Sequence, residues 1–469
     1  MEEWLRPIEK TFARGEISLD IYLLSLYLKP IEKGARQFFL NHFLGKKGGR
    51  TMRKLAIFTI LVLIFSVISV SMAMAQAKKT PATKEPIRFG AIYDFVGGCY
   101  MYSESAMTGI KLAVDEINAK GGVLGRKLEY FRRDTEGKTD IGQRETKDLI
   151  LREKVDFIMG PCSSGVGLAM QVIHSEYKVI RIAGIANTEA QTVDKFTPYI
   201  FQIVPNTYME ATANTRYLNK KFPKAKKFCT IGPDYEFGRR EEGAFADEIR
   251  KLVPDAEILY EAWPKLGEKD FTAFITAIMA KKPDAVHGSL FGGDLVSFTK
   301  QALPYGFFEK TPFIALYDLP VLVALGPDAP EGTLGFGRGC FFMDPNPKMM
   351  EFVEKYKKAN AGAYPDSWAV MAYDTLYLYK GAAEKAKTVE TQAMIKALEG
   401  YTMDSLRGKF TIRPLDHMGT VPCYQGTIAK DPKYPAFKIW KDLSRIPGEQ
   451  VIRPEASIRE IWKKTGVVR

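Results

Sequence analysis

The residues best suited to chemistry are small or hydroxyl-bearing, and they fall in four loops: 94–105, 160–167 (GPCSSGVG), 184–192 (GIANTEAQT) and 205–208. Ser163 and Ser164 precede a run of helical periodicity. Their hydroxyls, with the first backbone N–H groups of that helix, make a seat for a carboxylate. The same serines suit N-capping, and capping and anion binding can coexist. Nucleophilic catalysis fits less well. A nucleophile elbow needs G-x-S-x-G, which this loop lacks, and none of His42, His174, His287 and His417 stands in a triad-like setting. No His, Cys and carboxylate cluster has metal-ligand spacing. Enzymes are therefore the least favoured class, and neither a metal nor a cofactor is expected.

These loops follow short apolar runs at 87–93, 128–132, 157–159, 179–182 and 199–203, with amphipathic stretches at 106–120, 140–153 and 165–177 between them. Such alternation predicts a parallel sheet with helices on both faces. The pattern starts again at Tyr208, with helices expected over 211–220, 238–252, 271–280 and 294–305 and strands over 227–231, 257–260, 285–288 and 312–316. Further helices are expected at 349–360, 367–386 and 391–398, and a strand at 420–429. The reading is an α/β chain of two doubly wound lobes. Ligands of open α/β sheets lie beyond the carboxyl ends of the strands, so two facing lobes enclose one cleft.

At 469 residues, 46% hydrophobic and 26% charged, the chain is long enough for two sizeable cores, and disorder and fibres are excluded. Its net charge is +12; residues 1–51 hold nine Lys/Arg against six Asp/Glu, and Arg53 and Lys54 add two, which leaves +7 beyond them. No run of Lys/Arg beside aromatics points to nucleic acid. Arg53-Lys54, the apolar run 55–70 and Ala73-Met74-Ala75 occur in the order that a signal peptidase reads, so 52–75 is expected to be a signal peptide cleaved before Gln76. Export then places the protein in the periplasm or another extracytoplasmic space. Residues 1–51 look like a mis-called extension upstream of a start at Met52. An uncleaved 55–75 anchor is the rival, since the run approaches the roughly 20 residues of a membrane span.

The phrase DEINAKGGVLGRKLE closes a helix on Gly121-Gly122 and resumes as a strand at Leu128. Glycines that close a helix cannot cradle a pyrophosphate at its N-terminus, which argues against dinucleotide binding. The phrase resembles the first helix and second strand of the leucine/isoleucine/valine-binding family of periplasmic solute-binding proteins, from about residue 87 to 430. The resemblance implies a type I periplasmic binding protein-like fold with three crossovers, near Pro205, residues 339–343 and Tyr424. It assigns 86–206 and 342–422 to the first lobe and 207–341 and 423–469 to the second. The implied partners are a small-molecule ligand, an amino acid or related carboxylate, and the permease subunits of an ABC transporter. A membrane-tethered sensor with the same binding fold is the alternative.

Carried over residue by residue, Tyr102 matches the family's ligand-covering aromatic and Ser163 its carboxylate-binding serine, with Ser164 beside it. Ala186 and Asn187 fall where an Ala-Thr pair binds carboxylate and ammonium, with Thr188 adjacent. Phe237 stands where a tyrosine is usual, Phe291 at another aromatic position, and Asp318 is the nearest candidate for the ammonium-binding acid. These departures leave fewer polar groups for an α-ammonium, and Tyr100, Tyr102, Phe237, Phe291 and Tyr317 would suit an apolar or aromatic ligand body. In an oxidising compartment the five cysteines could form two bridges. In a sheet ordered 2-1-3-4-5, Cys99 and Cys162 lie on neighbouring loops and could pair; Cys340 and Cys423, near adjacent crossings, could form the second, leaving Cys229 as a buried free thiol.

Overall fold

The computed structural model describes residues 84–467 together with Ala13 and Arg14, so the expected signal peptide and upstream extension lie outside the described residues. The first lobe is built on β1 (Ile87–Tyr93), α1 (Tyr100–Ala119), β2 (Leu128–Asp134), α2 (Thr139–Leu151), β3 (Phe157–Met159), α3 (Ser164–Tyr177), β4 (Ile180–Ala183) and β5 (Ile200–Gln202). Its strands pair in parallel in the order β2-β1-β3-β4-β5. Both faces of β1, β3 and β4 are buried, as continuous apolar runs such as FIM require.

The second lobe holds α4 (Thr207–Lys221), β6 (Lys227–Ile231), α5 (Glu236–Leu252), β7 (Glu257–Ala262), α6 (Thr272–Lys281), β8 (Ala285–Gly288), α7 (Gly292–Ala302), α8 (Phe307–Lys310), β9 (Phe313–Ala315), α9 (Leu319–Leu325) and β10 (Leu334–Gly337). The chain then forms α10 (Pro347–Ala359), α11 (Ser367–Ala386), α12 (Thr391–Leu398) and the hairpin β11 (Thr402–Ser405) and β12 (Gly408–Thr411). It ends with β13 (Cys423–Ala429), β14 (Ile439–Ile446), α13 (Gly448–Val451) and α14 (Glu455–Thr465). The second sheet runs β14-β13-β10-β9-β8-β6-β7, with β13 antiparallel to both of its neighbours. No described helix is long and apolar enough to cross a membrane.

Helix α11 returns to the first lobe and lies against α1. The contact is backbone-close: a Cβ at Gly109 would stand 2.3 Å from the Ala369 carbonyl oxygen, so α1 needs glycine there. Glu116 then accepts hydrogen bonds from Tyr373 (2.6 Å) and Tyr377 (2.7 Å) across the same interface.

Three expectations are corrected. The loop expected over 94–105 is helical from Tyr100, and Ser103 Oγ ties its first turn back to the Asp94 carbonyl at 2.8 Å; the polar residues of this turn disguise the helix start. The second lobe does not hold the whole of 423–469: Ile458 and Trp462 of α14 pack on Val193 and Leu415, and Trp462 Nε1 donates to the Val193 carbonyl at 2.8 Å. Cys340 and Cys423 are free and buried. Burial raises both thiols, and the charges of Asp366 and Asp318 add to this at Cys340 and those of Glu210 and Glu241 at Cys423. Cys229 is also a free buried thiol, and Cys99 is joined to Cys162.

Where the chain passes between the sheets, one buried side chain ties the passages together. Arg407 donates from Nη2 to the Ile203 carbonyl (2.9 Å), from Nη1 to the Arg338 carbonyl (3.5 Å) and from Nε to Asp374 (3.2 Å). The third passage adds a backbone clasp, Gly419 N–H to the Gln202 carbonyl at 2.8 Å. Arg407→Ala would leave Asp374 buried without its counter-ion, so a loss of about 3–5 kcal/mol in folding free energy is expected in denaturant titrations. A change below about 1 kcal/mol would show that the clamp is dispensable.

Candidate ligand-binding site

The first-lobe wall is organised by Asp94 at the end of β1. Its Oδ2 accepts the backbone N–H groups of Cys162 and Ser163, both at 2.7 Å, and its Oδ1 accepts from the Thr135 hydroxyl. The Cys99–Cys162 disulfide joins the same two loops. Together these fix the entry to α1, which carries Tyr102, relative to the entry to α3, which carries Ser164. Ser163 caps α3, its Oγ accepting from Val166 N–H at 3.5 Å. The N–H groups of Ser164 and Gly165 have no acceptor among the described residues, the usual state of a helix first turn. The Ser164 hydroxyl is buried and unpartnered as well.

These groups face a small cavity with about 20 Å³ of room for water-sized molecules, far below the roughly 300 Å³ at which ligand pockets begin, so a ligand is admitted only when its walls move apart. Of the residues proposed from sequence, Tyr102, Ser164, Asn187, Phe237 and Phe291 line it. Ser163, Ala186, Thr188 and Asp318 do not. Ala186 N–H is already given to the Pro161 carbonyl at 3.1 Å, and Thr188 donates to Glu236 at 2.7 Å. Tyr100 is exposed, and the Tyr317 hydroxyl bonds Thr299 in the second core. The expected ammonium-binding acid, Asp318, instead caps α9, accepts the Trp368 indole N–H at 3.1 Å and stands beside Tyr102.

Arg338, Trp368 and Tyr235 also line the cavity but were not anticipated. Arg338 follows the glycine-rich strand LGFG, which carries no β-branched residue to announce it; an arginine between two glycines was the only signal. Trp368 stands at the start of α11, where Asp366 caps the helix through Trp368 and Ala369 N–H, both at 3.0 Å. The rings form a nearly continuous wall: Tyr102–Trp368 centroids are 4.3 Å apart, Tyr102–Phe291 6.1 Å and Phe237–Phe291 5.7 Å.

The two lobes are shut on this cavity. Gly292 N–H of the second lobe donates to the Tyr102 hydroxyl at 2.8 Å. Gly292 has φ +51, and a Cβ there would stand 2.5 Å from the Gly98 carbonyl oxygen, so closure itself requires the glycine. Thr188–Glu236 and the Asp194–Arg240 ion pair (3.2 Å) join the rims. A closed cleft excludes water and strengthens the polar contacts inside it.

Residues 86–433 match the periplasmic binding protein family, and the chain belongs to that family of small-ligand-binding proteins. A Leu/Ile/Val-binding protein of Rhizobium johnstonii, BraC3, is 26% identical over 354 residues, covering 72% of this chain and 90% of its own. Two solved structures share the fold. A solute-binding protein of an ABC transporter from Rhodopseudomonas palustris in complex with 3,4-dihydroxybenzoic acid superposes with a TM-score of 0.71 at 23% identity, covering 79% of this chain and 99% of that one. Another from the same species, in complex with benzoate, gives 0.69 at 21% identity, covering 77% and 97%. The architecture is that of type I periplasmic binding proteins, as the sequence led one to expect.

Burial above all, and then the neighbouring Asp366, raises the Asp318 carboxyl to about 7, against the pull of Val321 N–H, Tyr102 and Trp368. The folded protein thus keeps a proton that the unfolded chain loses near pH 4. The contribution to stability is full below about pH 4 and is lost as pH rises towards 7. Asp318→Asn keeps an acceptor for the cap and the indole but cannot titrate. In urea unfolding the variant should gain on the native protein between pH 4 and pH 7; a difference that stays constant with pH would contradict a protonated Asp318.

Proposed function

We propose that this is an extracytoplasmic solute-binding protein that captures a small carboxylate with an aromatic body between its lobes and delivers it to the permease of an ABC transporter. The observation that carries the reading is the Ser164 hydroxyl, buried and unpartnered at the N-terminus of α3 and lining a cavity walled by Tyr102, Phe237, Phe291 and Trp368. Serine and first-turn N–H groups seat the carboxylate; the rings cover the body. No bond is made or broken.

An α-amino acid, as the names of the curated relatives would suggest, needs an acceptor for its ammonium. Glu210 is committed to Arg338 and Asn187, and Asp318 to a helix cap and an indole. Two backbone N–H donors and the Ser164 hydroxyl are free at the start of α3, and no carboxylate is among the residues that line the cavity, which favours an acid without an amine. The complexes of the two R. palustris proteins with aromatic acids support the same choice.

Calorimetric titration should therefore detect benzoate-type acids and little binding of leucine or valine. Ser164→Ala should weaken the best acid by about tenfold to a hundredfold, the range for a hydrogen bond to a charged group. Unchanged affinity in that variant would misplace the carboxylate; tight binding of leucine with none of the acids would reject the ligand class.

A further inference from the structure

Arg338 carries a charge into the closed cavity without having that charge to spare. The residue is 3% exposed. One edge is filled by a bidentate pair with Glu210, Nε to Oε1 at 2.6 Å and Nη2 to Oε2 at 2.8 Å. Its faces lie against Trp368, 4.9 Å from the ring centroid, and Phe237, 5.9 Å. Asn187 Nδ2 donates to the same Glu210 at 2.8 Å and holds the pair to the first lobe. The remaining edge, at Nη1, has no acceptor among the described residues, and Arg338 lines the cavity.

Resting on the reading that Ser164 and the start of α3 hold the carboxylate, we infer that Arg338 is the specificity-determining residue of the cavity. It selects ligands that carry an uncharged oxygen acceptor, a hydroxyl or a carbonyl, on the ring apart from the carboxylate. The charge balance decides against a second anion. Glu210 already neutralises Arg338 in a site closed to water. Burial first, and then Glu210 and Glu242, hold the carboxyl of the nearby Glu241 well above its ordinary range, so it supplies no counter-ion to a ligand. A further carboxylate there would be a buried charge with no counter-ion of its own. A neutral oxygen satisfies the open N–H edge at no such cost, whereas an unsubstituted ring leaves that donor buried and unpaired, the situation that sites use to reject a ligand. The planar fork fixes where the oxygen must lie, which lysine could not do.

The test is a ligand series on the native protein and one paired variant. Benzoate, 3- and 4-hydroxybenzoate and benzene-1,4-dicarboxylate are titrated by calorimetry. At least one hydroxybenzoate should bind about tenfold to a hundredfold more tightly than benzoate, and the dicarboxylate more weakly than that hydroxybenzoate. Because Arg338→Met alone would strand Glu210, the variant is Arg338→Met with Glu210→Gln, which removes both charges together. It should bind benzoate and that hydroxybenzoate within about threefold of each other, the preference for the hydroxyl having disappeared. Equal affinity for benzoate and both hydroxybenzoates in the native protein overturns the inference without any variant, and so does tighter binding of the dicarboxylate. Equal loss of benzoate and hydroxybenzoate in a folded variant means that Arg338 holds the carboxylate, and this too overturns it while an acid ligand survives. Binding to none of the acids overturns the inference and the function proposed above together.

Discussion

A cleft closed between two lobes is dry, and in a dry cleft every donor and acceptor has to be paired by the protein or by the ligand. Much of this site follows from that constraint. Asp94 takes the N–H groups of Cys162 and Ser163, and Ser163 takes that of Val166, so what remains at the start of α3 is the Ser164 hydroxyl and two amides. Glu210 takes one edge of Arg338, and what remains is the other. The ligand is specified by what the protein leaves unpaired.

The same constraint explains why charge is stored where the chain passes between lobes. Arg407 with Asp374, and Arg338 with Glu210, are buried pairs whose members come from segments far apart in sequence. Arg338 takes both oxygens of Glu210, and Arg407 reaches Asp374 and carbonyls at two passages between the sheets. Such pairs cost desolvation and add little net stability, but losing one partner strands the other. They fix the relation of the segments that a hinge must keep while the lobes move, and hinge closure of this kind is a common way to bury a ligand. The Tyr102–Gly292 bond and the rim pairs Thr188–Glu236 and Asp194–Arg240, by contrast, are the contacts that closure makes.

The alternation of strands and helices was legible because apolar runs such as IRFGAIY and FIM have few alternatives, and a loop after them exposed Ser164, whereas Tyr102 and Asn187 came from the resemblance to a family. Phe237 and Phe291 were legible only through the resemblance to a family. The rest depended on tertiary placement. LGFG becomes a central strand because β9 and β13 flank it, not because of its own propensity, so Arg338 at its end had no element to mark it. Trp368 belongs to a helix legible in full, but nothing local says that the first turn of α11 reaches the cleft. Asp318 is ambiguous for a related reason: an acid before Leu-Pro reads equally as a ligand contact or as a helix cap, and its side chain caps α9. The cysteines divide likewise. Cys99 and Cys162 lie on loops that the strand order makes neighbours, whereas Cys340 and Cys423 lie near adjacent passages with their side chains in different environments.

The central claim is that the closed cleft holds a small acid by the groups the protein leaves unpaired. The most direct test is native mass spectrometry of the protein purified without denaturation, followed by release and identification of what it carries. The account predicts a single bound molecule with one carboxylate and an aromatic ring. A co-purified α-amino acid, or a ligand with no acid group, would contradict it.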